Sequence, residues 1–284
     1  MPFTTLITAE ELSQHLFDAD WCVLDCRHDL MDHAAGRRAY DAGHIPGAQF
    51  ASVETDLAGA HSGTNGRHPL PDRSTLEQRF GRWGIHNNTQ IVAYDAHGGQ
   101  FAGRLWWLTR WLGHRKVAVL DGGWPAWMAA MQWSSVEPAD RVIRSFTAGE
   151  PLVRLVDAES VRSRDAQTLL VDARNPERYR GEVEPIDPVA GHIPGAVNRF
   201  WQANLTDPAT GTFKPAEVLR AEYTALLAGR SPQQMIAQCG SGVTACHHLL
   251  AMEHAGLPGA ALYAGSWSEW IADPARPVAT GAAP

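Results

Sequence analysis

The sequence has few cysteines, no excess of positive charge and no long apolar run, and each shortage closes off a class of function. Only four cysteines occur in 284 residues: Cys22, Cys26, Cys239 and Cys246. No two of them form a C-x-x-C pair, so neither a disulfide framework nor a cysteine zinc site is indicated. The formal net charge is -7 and no basic block overrides it, so no nucleic-acid partner is expected. No apolar stretch approaches the length needed to span a bilayer, so no membrane association is expected. The N-terminus, Met1-Pro2-Phe3-Thr4-Thr5-Leu6, has no positive segment followed by an apolar one. No secretory leader is therefore expected, and a reducing cytoplasm is the expected location. Hydrophobic residues make up 44% of the chain and charged residues 19%, an ordinary globular composition at a length that suits two domains.

What the chain does have is a repeated order of landmarks. Val23-Leu24-Asp25-Cys26-Arg27 returns as Leu170-Val171-Asp172-Ala173-Arg174. Ala42-Gly43-His44-Ile45-Pro46-Gly47-Ala48 returns as residues 190–196, and the strand-like run 91–95 returns as 235–239. Asp121-Gly122-Gly123-Trp124-Pro125-Ala126-Trp127 returns as Ala264-Gly265-Ser266-Trp267-Ser268-Glu269-Trp270. Landmarks repeated in the same order indicate a tandem duplication. Short apolar strands alternate with helical patterns in both halves, which implies an α/β fold with a central, mostly parallel sheet flanked by helices in each. The expected domains are 1–135 and 152–284, joined by a polar, Pro- and Gly-bearing linker at 136–151. Helix starts are legible too. Thr8 with Glu11 reads as a capping box opening a helix to about Phe17, and Asp157 reads as a second cap. Both histidines of the Gly-His-Ile-Pro-Gly segments, His44 and His192, suit a structural role better than catalysis, because both copies carry them. Cys22, Cys26 and Cys246 read as buried core.

The stretch that carries chemistry is Cys239-Gly240-Ser241-Gly242-Val243-Thr244, between the apolar run Met235-Ile236-Ala237 and a helical pattern beginning near Ala245. Glycines let successive N–H groups turn toward one centre, and the following helix aims its positive end there. A cysteine at that centre is expected to react as a thiolate nucleophile. The matching position in the first half is Asp95, so only the second half is armed. An arginine at the end of such a loop would suit phosphate esters, but the residue there is Ala245.

Together these residues resemble the rhodanese superfamily over nearly the whole chain: the Asp-x-Arg strands, the paired Gly-His-Ile-Pro-Gly-Ala segments, the cysteine loop and the Gly-Ser-Trp-x-x-Trp motif. Tandem domains with cysteine in the second copy alone look like two-domain sulfurtransferases, and this loop is similar to that of enzymes using 3-mercaptopyruvate. The resemblance implies that Cys239 takes sulfur from a small-molecule donor as a persulfide. A thiol, thioredoxin or cyanide then accepts it, with no metal or organic cofactor. Relatives using thiosulfate typically carry charged residues after the cysteine, where this chain has Gly240 and Ser241. A neutral loop suits a keto acid better than a dianion. Thiosulfate remains the alternative donor, and a persulfide carrier without its own donor is the alternative of another class.

The resemblance also implies a set of supporting residues. Arg178 would bind the substrate carboxylate, with Gly240, Gly242, Val243 and Thr244 shaping the loop. Ser241, His68 and Asp56 would form a proton-handling set, the histidine exchanging the proton and the carboxylate orienting it. Many relatives carry a second arginine shortly after the first. Here that segment is Glu184-Pro185-Ile186-Asp187-Pro188, without arginine, and Arg180 or Arg199 are the substitutes to consider.

Overall fold

The computed structural model describes residues 1–130, 133–140 and 142–283. The chain divides into two compact units, neither contiguous in sequence. One is Met1–Gly59, Pro71–Leu152 and Leu205–Phe213, and the other is Ala60–Leu70, Val153–Asn204 and Lys214–Pro284. Each half of the sequence thus leaves a short segment in the unit built by the other. Of the expected linker, Arg141 lies outside the described residues, and 136–140 and 142–151 hold neither helix nor strand.

The first unit opens with β1 (Leu6–Ile7), α1 (Ala9–Ser13), β2 (Trp21–Asp25), α2 (Ala35–Ala42) and β3 (Gln49–Phe50). It continues with α3 (Arg73–Arg82), β4 (Gln90–Tyr94), α4 (Ala102–Trp111), β5 (Val117–Leu120) and α5 (Gly123–Ala129). Its five strands are parallel, in the order β1-β5-β4-β2-β3. The runs Cys22-Val23-Leu24 and Ile91-Val92-Ala93 are buried throughout, as a sheet covered on both faces requires. The expected capping box forms, with Glu11 N–H donating to Thr8 Oγ1 and Thr8 N–H to the Glu11 carboxylate. α1 stops at Ser13, short of Phe17, because Gln14 and His15 N–H bond only three residues back, to Glu11 and Leu12.

The second unit runs β6 (Arg154–Val156), α6 (Ala158–Arg162), β7 (Leu169–Asp172), α7 (Pro176–Arg180) and β8 (Ala196–Asn198). The hairpin of β9 (Leu205–Asp207) and β10 (Thr212–Phe213) belongs to the first unit. Then come α8 (Ala216–Leu227), β11 (Met235–Gln238), α9 (Ala245–His254), β12 (Ala261–Tyr263) and α10 (Ser266–Trp270). Its sheet is again parallel, in the order β6-β12-β11-β7-β8, the counterpart of the first. Asp157 caps α6 through Ser160 N–H at 2.8 Å.

The repeated landmarks are structural. In each unit the arginine of Asp-x-Arg clasps its own aspartate, Arg27 with Asp25 and Arg174 with Asp172. Each guanidinium lies over the first tryptophan of the closing motif, Trp124 at 4.6 Å and Trp267 at 4.7 Å. His44 and His192 stack on Tyr40 and Tyr179 at 3.9 and 3.8 Å, with Nδ1 of each on that tyrosine's carbonyl. All four cysteines are free and buried. Burial, with Asp25 next, pushes the Cys26 thiol well above its ordinary range, as suits an inert core residue. Among the described residues no helix is long and apolar enough to cross a membrane.

Candidate active site

β11 is the middle strand of the second sheet, and Cys239 follows its C-terminal end, where open α/β sheets bind ligands. Cys239 is 1% exposed. Its Sγ accepts the N–H of Gly242 at 3.1 Å. Gly242 has φ +76, and a Cβ there would lie 2.1 Å from the Ala264 carbonyl oxygen, so only glycine can aim this N–H. Val243 and Thr244 lead into α9, their carbonyls accepting from Cys246 and His247 N–H.

The loop is fixed from behind by the closing motif. Trp267 N–H donates to the Cys239 carbonyl at 3.0 Å and Ser268 N–H to the Gly240 carbonyl at 2.9 Å. Cys239 N–H donates to Ser266 Oγ at 3.0 Å, and that hydroxyl donates to the Tyr263 carbonyl. Ser266 holds φ +55, a conformation disfavoured outside glycine, where the first unit has Gly123 at φ +54. The repeat thus trades backbone ease for a hydroxyl that accepts the Cys239 N–H. That Gly-to-Ser difference was readable in the sequence but not singled out there.

Ser241 and His68 are brought together, with His68 Nδ1 2.7 Å from Ser241 Oγ and both residues buried. His68 reaches this place because Ala60–Leu70 belongs to the second unit. Asp56 belongs to the first unit, where Oδ2 accepts the N–H of Ser52. Burial raises its carboxyl above the usual carboxylate range, against the lowering effects of that N–H and of Arg79.

Arg178 is held by buried carboxylates. Nε and Nη2 donate to Glu184 at 2.8–3.2 Å, and Nη2 donates to Asp187 at 2.9 Å. Its Nη1 stands 3.6 Å from where a Cβ of Gly240 would be. A second guanidinium joins it, and the residue is neither Arg180 nor Arg199. Arg180 pairs with Glu182, and Arg199 bonds Glu222 and Asn204. The residue is Arg67, whose Nη1 donates to Asp187 and whose Nη2 stands 3.1 Å from that Gly240 Cβ position. Its Nε is buried and takes no hydrogen-bond partner among the described residues. Asp187 and Glu184 side chains are only 3% and 4% exposed, so they fix both guanidiniums against the loop. The neutral loop therefore lies beside two guanidiniums, each paired with a buried carboxylate. Sequence reasoning missed Arg67 because its partner is far away along the chain; only its place beside His68 hinted at it.

The unarmed copy shows what the same strand end does without sulfur. Asp95 Oδ1 accepts the N–H groups of His97 and Gly99 at 2.8 and 3.0 Å. Oδ2 accepts those of Phe101 and Ala102 at 2.7 and 2.9 Å. A ring of amides suited to an anion is here filled by the chain's own carboxylate.

The comparisons with known proteins agree with this geometry. The rhodanese-like domain pattern matches residues 8–130 and again 156–273. The chain belongs to the rhodanese family. As a two-domain rhodanese it is 48% identical over 290 residues to a Pseudomonas aeruginosa protein named "Probable 3-mercaptopyruvate sulfurtransferase", covering 99% of this chain and 100% of the relative. It is 34% identical over 270 residues to the thiosulfate sulfurtransferase of Rattus norvegicus, covering 91% of this chain and 85% of that one. Among solved structures, SseA from Escherichia coli, described as a 3-mercaptopyruvate sulfotransferase, superposes with a TM-score of 0.78 at 30% identity. The match covers 94% of this rhodanese and all of SseA.

Proposed function

We propose that this rhodanese is a sulfurtransferase that takes sulfur from 3-mercaptopyruvate onto Cys239, releases pyruvate and passes the sulfur to a thiophilic acceptor. The observation that carries the reading is the convergence at one strand end of a cysteine sulfur bonded by a loop amide, a serine–histidine pair and two guanidiniums. The Cys239 thiolate attacks the sulfur of the donor. An S–S bond forms, the donor's C–S bond breaks, and its electron pair leaves with the carbon as pyruvate enolate. Ser241, backed by His68, is placed to handle the proton the enolate takes up. The two guanidiniums suit the donor's carboxylate, and the Gly242 N–H suits negative charge on the persulfide. The acceptor is a thiol, thioredoxin or cyanide, whose attack on the outer sulfur returns the thiolate.

Intact mass after exposure to 3-mercaptopyruvate tests the reading. One added sulfur is expected on the wild type and none on Cys239→Ala; no gain, or a gain that persists in that variant, overturns it. Thiosulfate is the second reading, favoured by one observation. The guanidiniums of Arg67 and Arg178 supply beside Gly240 the positive charge the loop itself lacks. Comparing kcat/KM for the two donors decides between them. Turnover of neither donor, with persulfide exchange to a partner protein, would instead favour a carrier.

A further inference from the structure

A second cluster of chemistry-bearing side chains lies in the first unit and uses none of the residues assigned to sulfur transfer. His28 stands in the loop after β2, His33 further along the same loop, and Glu54 in the turn after β3. His28 Nε2 is 3.4 Å from Glu54 Oε1, and His33 Nε2 is 3.7 Å from the same oxygen. The three ligand atoms all lie within 4.8 Å of one another. His28 is only 4% exposed, yet its Nε2 takes no hydrogen bond among the described residues. A buried imidazole nitrogen facing a carboxylate without a hydrogen bond asks for an explanation. The ring cannot easily turn away, because it packs edge-on against Phe101 at 5.0 Å.

We propose that His28, His33 and Glu54 bind a zinc ion. Two imidazoles and one carboxylate are a donor set that zinc accepts while keeping a fourth position for water or another small ligand. The spacing favours four-coordination. Bonds of about 2.0–2.1 Å place tetrahedral ligand atoms about 3.3–3.4 Å apart, whereas octahedral neighbours at the same bond length lie about 2.9 Å apart. The two His-to-Glu separations of 3.4 and 3.7 Å lie nearer the tetrahedral edge than the octahedral one, and all three ligand atoms lie within 4.8 Å of one another. The ion would tie the β2 loop to the β3 turn at the C-terminal edge of the sheet. The cysteine spacing read in the sequence did not reveal this site because no cysteine takes part.

Equilibrium dialysis of the chelator-stripped full chain against zinc tests the proposal, with Cys239→Ala included to separate thiol binding. One zinc per chain is expected in the wild type and in Cys239→Ala, with affinity at least about tenfold weaker in His33→Ala and Glu54→Gln. His33 is exposed, so His33→Ala should melt like the wild type without metal, while zinc raises Tm in the wild type and in Cys239→Ala but not in His33→Ala. Cobalt in place of zinc should give the intense visible absorption of a four-coordinate ion. Failure of the wild type to bind zinc stoichiometrically, or binding that His33→Ala and Glu54→Gln leave unchanged, overturns the site. So does zinc binding that only Cys239→Ala removes.

Discussion

Gly240 is the residue at which the donor question turns. Its neutrality in the sequence suggested an uncharged pocket, yet Arg67 and Arg178 crowd the space a side chain there would enter. Adding charge at position 240 would therefore collide with the guanidiniums already present, and the informative substitutions are at the arginines. Charge-assisted hydrogen bonds contribute about 1.5–3 kcal/mol, so Arg67→Gln and Arg178→Gln should each lower kcat/KM for 3-mercaptopyruvate by roughly 10- to 150-fold. Most of the change should appear in KM, and steady-state kinetics would show it. An Arg67→Gln enzyme with unchanged KM would remove Arg67 from the substrate site. Ser266 offers a second test. Ser266→Gly removes a left-handed side chain, whose strain is of order 1–3 kcal/mol, and also the hydroxyl behind Cys239. Thermal stability should hold or rise while the rate of persulfide formation falls. A variant that gains stability and loses no rate would leave Ser266 a purely structural residue.

Elements carry the distinction between the two halves. Strand, loop and helix recur at β4 and β11, and the amides after β4 converge on a carboxylate where β11 is followed by a thiol. Asp95→Ala would leave four N–H groups without an acceptor, three of them buried, which should cost several kcal/mol at about 1–3 kcal/mol for each buried donor left unpaired. Chemical denaturation should show the loss, and Asp95→Asn, which keeps an acceptor oxygen, should lose less. Much at this scale was legible beforehand. The capping box at Thr8, the Asp157 cap and the buried strand runs depend on neighbours within a few residues, and they formed as the sequence indicated. The end of α1 was not legible, because the switch to bonds three residues back has no residue marking it.

At the scale of the whole molecule, the chain cannot be cut at its linker without dividing a unit. A fragment spanning 152–284 would lack Arg67 and His68, which belong to the second unit's own contacts. Intact mass of that fragment after exposure to 3-mercaptopyruvate should show little or no added sulfur; a full gain would mean that Ala60–Leu70 is dispensable. Global stability should also depend on acidity. His248 is buried, and burial, with Arg199 next, pushes it down to about 3. Its Nδ1 lies 2.7 Å from Tyr223 Oη and its Nε2 lies 2.7 Å from the Arg199 carbonyl, an arrangement that suits the neutral ring. The unfolded chain binds a proton near pH 6.5, and the folded chain resists it until about pH 3. Stability is therefore full above about 6.5 and falls as pH drops through this window, by at most about 1.4 kcal/mol per unit from this group. Urea unfolding from pH 7 to pH 4 should show the decline, and His248→Gln should flatten it.

The sequence by itself determined the duplication, the parallel α/β class, the position of the loop cysteine Cys239 and which half bears it. Those features rest on periodicity, turn residues and repeated order, which act over short stretches of chain. Tertiary structure decided which residues distant along the chain meet. Arg67 meets Asp187 and Gly240, His68 meets Ser241, and His28 meets Glu54 through a chain path that no local pattern encodes. Burial and charge pairing in three dimensions chose those partners, and they set two carboxylate-paired guanidiniums beside a neutral-looking loop.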